Sequence, residues 1–140
     1  MDATTFDQRK SLVDLFLLEQ LKGKTPSVHI ERMTHIVNLI NTSGGGNKIT
    51  QLASEACLSR KQFERVFQNV VGTSPKQFLK IIRFQNALHT KTTNKHINLT
   101  QLAHQCAYYD HSHMINEFVQ IAGKTPRQFF SENQTGSDYF

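Results

Sequence analysis

SRKQFERVFQNVVGTSPKQF, residues 59–78, contains a helix start, a helix stop and a second start in close succession. Ser59 is an N-cap type, and Gln62 three positions later completes a capping box. Phe63, Val66, Phe67, Val70 and Val71 then follow at i, i+3, i+4, i+7 and i+8, one buried helical face. Gly72 ends that helix where a left-handed turn costs little. Ser74 caps the next one, with Pro75 at its first position and Gln77 closing a second box. Lys61, Glu64, Arg65 and Gln68 fall opposite the apolar stripe. The helix is thus packed on one face and presents cations on the other.

At 140 residues the chain is one domain, or two very small units sharing a core. Sixteen Lys and Arg against eleven Asp and Glu give a net charge of +5, which suits a polyanionic partner. The excess is concentrated: Lys48, Arg60, Lys61, Arg65, Lys76, Lys80, Arg83, Lys91 and Lys95 face only Glu55 and Glu64 over that stretch. Cys57 and Cys106 both lie in apolar helical patterns, which predicts small buried thiols in a reducing compartment. No apolar run approaches a membrane span, and the expected location is the cytoplasm.

Working from the N-terminus, residues 8–21 read as a helix apolar on nearly every side, through Leu12, Val13, Leu15, Phe16, Leu17, Leu18 and Leu21. Such a helix requires burial all round, from its own core, a second subunit or an upstream domain. Gly23-Lys24-Thr25-Pro26 reads as a turn into a helix over 26–42 with Ile30, Met33, Ile36, Val37 and Ile40 on one face. Ser43-Gly44-Gly45-Gly46-Asn47 reads as a flexible break. A short helix over 49–57 buries Ile49, Leu52, Ala53 and Ala56, and a tight turn leads into the capped helix at 60–71. These are the proportions of a helix-turn-helix. Residues 75–92 continue as a long helix with Phe78, Ile81, Ile82, Gln85 and Leu88 on a stripe.

An internal repeat decides the fold class. Ile49-Thr50-Gln51-Leu52-Ala53 returns fifty residues later as Leu99-Thr100-Gln101-Leu102-Ala103. Phe67, Gly72 and Ser74-Pro75-Lys76-Gln77-Phe78 return fifty-one later as Phe118, Gly123 and Thr125-Pro126-Arg127-Gln128-Phe129. Caps return too, at Asn98 with Gln101, Asp110, and Thr125 with Gln128. The second stripe is Met114, Phe118, Ile121 and Ala122. The prediction is an all-α chain of about seven helices plus an extra N-terminal one. Its expected parts are an N-terminal extension (1–25), a first helix-turn-helix unit (26–73), a central linker helix (74–93), a second unit (94–132) and a flexible tail (133–140).

Over about residues 26–131 this arrangement resembles the DNA-binding domain of the AraC/XylS family of bacterial transcription regulators. The resemblance is carried by Leu102-Ala103, Ala107-Tyr108-Tyr109-Asp110-His111-Ser112-His113-Met114, Phe118, Gly123, Thr125-Pro126 and Phe129, and by Phe63, Phe67, Gly72 and Ser74-Pro75. Ala107-Tyr108 stands where Gly-Phe is usual, Met114 replaces an aromatic, and Phe129-Phe130 replaces a terminal Arg or Tyr-Arg. Ala107 must avoid or strain a positive-φ turn. The resemblance implies sequence-specific binding of promoter or operator DNA, with helices at about 60–71 and 111–122 entering successive major grooves.

The implied contacts are Arg60, Lys61, Gln62, Glu64, Arg65 and Gln68 on the first helix. On the second they are His111, Ser112, His113, Ile115 and Asn116. Arg reads guanine bidentately, Gln or Asn reads adenine, and Glu accepts from cytosine. Glu64 has the alternative of an intrahelical partner, Arg60 or Gln68. At the places of Lys61, Arg65 and Gln68 the second helix carries Ser112, Asn116 and Val119, and it includes Glu117. The first unit is therefore expected to carry most of the affinity. A helical protein-interaction module, one contacting RNA polymerase for example, is the alternative reading. Enzyme chemistry is not indicated: no nucleophile, base and orienter are spaced as a set. His111-x-His113 with Cys106 lacks a fourth metal ligand, and no cofactor is implied.

Overall fold

The computed structural model describes residues 6–21 and 28–132, and among them all regular structure is helical. Eight helices follow in order: α1 (Phe6–Leu21), α2 (Val28–Thr42), α3 (Ile49–Glu55), α4 (Arg60–Val71), α5 (Pro75–Thr93), α6 (Leu99–Gln105), α7 (His111–Ala122) and α8 (Pro126–Glu132). The expected turn at Gly23–Pro26 and the expected tail at 133–140 lie outside the described residues.

Two cores form, one for each copy of the repeat. Met33, Ile36 and Ile40 of α2 close over Leu52, Ala53 and Ala56 and over Phe63, Val66 and Phe67 of α4. Leu102, Ala103 and Cys106 pack with Tyr108, Met114 and Phe118 in the second. The helix α5 serves both, giving Leu79 to the first core and Ala87 to the second. At 19 residues it is about 28 Å long, a beam with one helix-turn-helix unit on each end. Phe78 meets Phe67 edge-on at 5.6 Å, while Phe84, Phe129 and Phe130 surround Phe118 at 4.7, 6.2 and 5.7 Å. Phe130 thus fills apolar space in the second unit.

Element boundaries follow the local chemistry. Ser59 Oγ accepts from the Gln62 amide at 3.3 Å while the Gln62 side chain takes the Ser59 amide at 3.2 Å. Asn98 and Gln101 repeat the exchange at 2.8 and 3.2 Å. At α5 the expected box is half made: Ser74 accepts from the Gln77 amide at 3.2 Å. Gly72 and Gly123 stop α4 and α7 at φ +87° and +70°. Cys57 and Ala107, fifty residues apart, both adopt the left-handed region at φ 51° and 59°. Ala107 therefore takes the strained turn instead of avoiding it. Cys57 is exposed rather than buried, because it occupies the turn itself and not the helix before it.

Other expectations shift by a few positions. Gln85, Val70 and Ile30 lie outside the cores, whereas Leu79 and Ala87 are inside. The break at Ser43–Asn47 is a structured turn closed by the Gly45 amide on the Ile40 carbonyl at 3.0 Å. Every described side chain of α1, Arg9 to Glu19, is exposed, Leu15 at 63% and Phe16 at 60%. These side chains thus draw no burial from the two cores. No described helix is long and apolar enough to cross a membrane.

Candidate nucleic-acid interface

The capping box at Ser59 opens α4 with its first turn projecting from the first core. Lys61 and Arg65 are one turn apart on its exposed face, and neither makes an ion pair among the described residues. With Ser59 and Gln62 they line a shallow cleft of about 320 Å³. The remaining expected residues are engaged locally. Arg60 Nε donates to Glu64 Oε1 at 3.0 Å, the intrahelical alternative weighed for Glu64. Gln62 is held in the cap, and Gln68 Nε2 donates to the Gly72 carbonyl at 3.1 Å. An exposed i, i+4 pair is worth only about 0.3–0.5 kcal/mol, so Arg60 and Glu64 are readily released to another partner.

On α7 the expected residues divide. Ser112 and Asn116 are exposed, His111 and Ile115 half-buried. The His111 Nε2 is enclosed with no partner among the described residues. His113 turns back on its own helix: Nδ1 accepts the Tyr109 amide at 3.2 Å and Nε2 lies 3.0 Å from Glu117 Oε1. That acceptor role assigns the neutral ring's proton to Nε2, which donates to the carboxylate. Tyr109 itself, absent from the expected set, is 88% exposed at the α6–α7 turn.

Glu117 departs most from the sequence expectation, where its charge opposes phosphate. It is buried, and its carboxylate receives both Arg83 Nη2 at 2.7 Å and Nε at 3.1 Å. A neutralised carboxylate facing inward does not repel a polyanion outside. The second unit also gains cations that its own helix lacks. Lys80 Nζ donates to Gln120 Oε1 at 2.7 Å across the gap between α5 and α7. A cleft of about 490 Å³ opens there, lined by Lys76 and Lys80 on one side and His113, Asn116 and Gln120 on the other. The i, i+4 spacing of Lys76 and Lys80 was visible in the sequence; their placement beside α7 depends on how the second unit docks on α5.

Beneath this surface, burial pushes the Tyr108 hydroxyl up, with the Glu117 carboxylate adding to the shift. Burial also pushes the Cys106 thiol up, against a weaker opposing contact from Thr90. The Tyr108 ring lies 5.8 Å under the Arg83 guanidinium. Among the described residues no group of three or more His, Cys, Asp and Glu could hold a metal ion.

Residues 52–132 match the family described as "Helix-turn-helix domain". The HTH-type transcriptional regulator Rv1931c of Mycobacterium tuberculosis is 29% identical over 87 residues, 62% of this chain and 33% of that protein. The HTH-type transcriptional regulator ArgR of Pseudomonas aeruginosa is 27% identical over 121 residues, 85% of this chain and 36% of that protein. The chain spans about a third of the length of these relatives. Among solved structures, the DNA-binding domain of AdpA, crystallised with a target DNA, superposes with a TM-score of 0.68 at 18% identity, covering 77% of this chain and 97% of that one. A DNA-binding transcriptional dual regulator from Escherichia coli K-12 gives 0.62 at 22% identity, covering 81% and 98%. These likenesses extend to the fold.

Proposed function

The chain belongs to the helix-turn-helix domain family of the AraC/XylS type, and on that premise we propose that it binds double-stranded DNA sequence-specifically to regulate transcription. The α4 and α7 helices are the two recognition helices of this reading, each entering a major groove. The observation that carries it is the pair of capped helices mounted on one beam, with Lys61 and Arg65 on the outward face of α4 and Lys76 and Lys80 of α5 beside α7. Successive major-groove entries on one face of B-DNA lie roughly 34 Å apart, close to the length of α5 plus its flanking turns. One chain can therefore address the two grooves that a dimer of single units would.

In this reading Arg65 and Lys61 are the leading contacts of the first unit. Asn116 and Ser112 reach base edges from the second. Lys76 and Lys80 approach the phosphate strand beside α7, which moderates the inequality expected from α7 alone. His113 supports the helix instead of reading a base. The protein is a binding module and not an enzyme, working in the bacterial cytoplasm, and effector recognition or an RNA polymerase contact belongs to other surfaces or other parts of a longer protein. Selection from a random duplex pool tests the proposal. Enrichment of a bipartite motif, retained with a steep dependence on salt, is expected. Failure to enrich any motif at moderate salt favours the protein-interaction module.

A further inference from the structure

One side chain ties the two helix-turn-helix units together. Arg83 lies midway along α5 and spends all three of its donor nitrogens on partners from both helix-turn-helix units. Its Nη1 donates to the Gly45 carbonyl at 2.9 Å, in the α2–α3 turn of the first unit. Its Nε and Nη2 grip both carboxylate oxygens of Glu117 on α7. Both side chains of the pair are nearly buried, at 12% and 11% exposure, so the contact is shielded from salt and fixed in geometry.

The turn is shaped to reach it. A Cβ on Gly45 would stand 2.8 Å from the Leu79 carbonyl oxygen and 2.9 Å from Arg83 Cγ. A Cβ on Gly46 would lie 3.1 Å from Cβ of Ala107, in the turn of the second unit. The glycines bring the first unit's backbone against both α5 and the second unit.

We propose that Arg83 is a positioning residue for DNA recognition. By holding the Gly45 carbonyl and the Glu117 carboxylate together, it fixes the angle between α4 and α7 and so selects the spacing of the two half-sites. The proposal rests on the DNA-binding reading above. A clamped pair of helices accepts one spacing. An unclamped pair behaves as two tethered binders, with weaker combined affinity and a broad tolerance of spacing.

The test uses the full chain and the double substitution Arg83→Met with Glu117→Met, which removes both charges and leaves neither one buried alone. Melting curves establish that this variant folds, and Arg83→Lys serves as a second variant that keeps the charge but not the fork. Binding is compared on the selected duplex, on the same duplex with two base pairs inserted between half-sites, and on the first half-site alone. The insertion shifts the second half-site by roughly 7 Å and turns it by roughly 70°. Wild type is expected to lose about 100-fold on insertion and the double variant less than about 5-fold, with the first half-site bound equally by both. An insertion penalty in the double variant equal to that of wild type overturns the proposal, as does an equal loss on the first half-site alone. Nitrogen-15 relaxation without DNA reads the clamp separately: one tumbling time for both units in wild type, two shorter ones in the double variant. A shared tumbling time in the double variant sinks the clamp. Failure of wild type to retain any duplex sinks the DNA reading and the spacing claim with it.

Discussion

Tyr108 and Cys106 sit in the second core with their ionisable atoms withdrawn from water, and this makes alkaline stability a probe of that core. Burial raises both groups above their ordinary values of 10.0 and 9.0. The folded chain therefore keeps protons that the unfolded chain has released. Their contribution to stability is full below about pH 9 and is lost as pH climbs through the unfolded values toward the folded ones. Denaturant unfolding between pH 8 and 11 is expected to show stability falling by up to about 1.4 kcal/mol per pH unit for each group. Tyr108→Phe should remove the Tyr108 share of that slope; an unchanged slope would place the ring's hydroxyl in water. Arg65 and Arg60 offer a second comparison within one helix. Arg65 has no ion-pair partner among the described residues, whereas Arg60 is held by Glu64. Arg65→Ala is expected to weaken binding of a selected duplex by about 5- to 100-fold, and Arg60→Ala by less than about 3-fold, in a titration at fixed salt. Equal losses would make α4 a diffuse cationic face.

Glycines in the turns separate two costs that a sequence cannot tell apart. Gly72 is left-handed, with nothing among the described residues within 4 Å of an added Cβ. Gly72→Ala therefore costs only backbone strain, about 1–2 kcal/mol by thermal or denaturant unfolding, with the two units still in place. Gly45→Ala meets backbone oxygen at 2.8 Å and the Arg83 stem, so it should cost more and loosen the contact between units. If the two substitutions destabilise alike, the turn is not pressed against α5. The difference shows why part of the structure was legible and part was not. Capping boxes, the 3.6-residue stripes and the stop at Gly72 are written in residues that are neighbours in the chain, and the helices of the two units are readable from them. The Gly44-Gly45-Gly46 run reads locally as a flexible break, because the surfaces that order it, α5 and the α6–α7 turn, are 34 or more residues away. Leu79 and Ala87 do not stand out in the sequence as core residues for a related reason. One helix that packs against two units does not keep a single stripe, and the periodicity drifts from one face to another along its length. Likewise Glu117 reads locally as a surface acid, because its partner Arg83 lies 34 residues away on α5.

The two units present cations drawn from two helices, α4 and α5, and their charge is what salt titration measures. Lys61 and Arg65 project from α4, while Lys76 and Lys80 of α5 stand beside α7. Each cation that neutralises a phosphate releases condensed counterions, so the logarithm of the affinity falls with the logarithm of salt by about 0.9 per contact. Four such contacts predict a slope of about −3.6, steeper if Arg60 is recruited from its pair with Glu64. Removing Lys61 and Arg65 together should flatten the slope by about 2 and also erase base preference in the first half-site. Removing Lys76 and Lys80 together should flatten it by a similar amount while leaving the preferred sequence unchanged, since lysines on the central helix would meet phosphate and not base edges. The measurement is a binding titration of the selected duplex from low to moderate salt for the wild type and both double-alanine variants. A slope unmoved by the loss of Lys76 and Lys80 would mean that the cleft between α5 and α7 faces away from the duplex. The second unit would then depend on Ser112 and Asn116 with no charge behind them, and the first unit would hold the DNA almost alone. A flattened slope with an intact motif would instead make the central helix a third contributor to binding, supplying the attraction that α7 lacks.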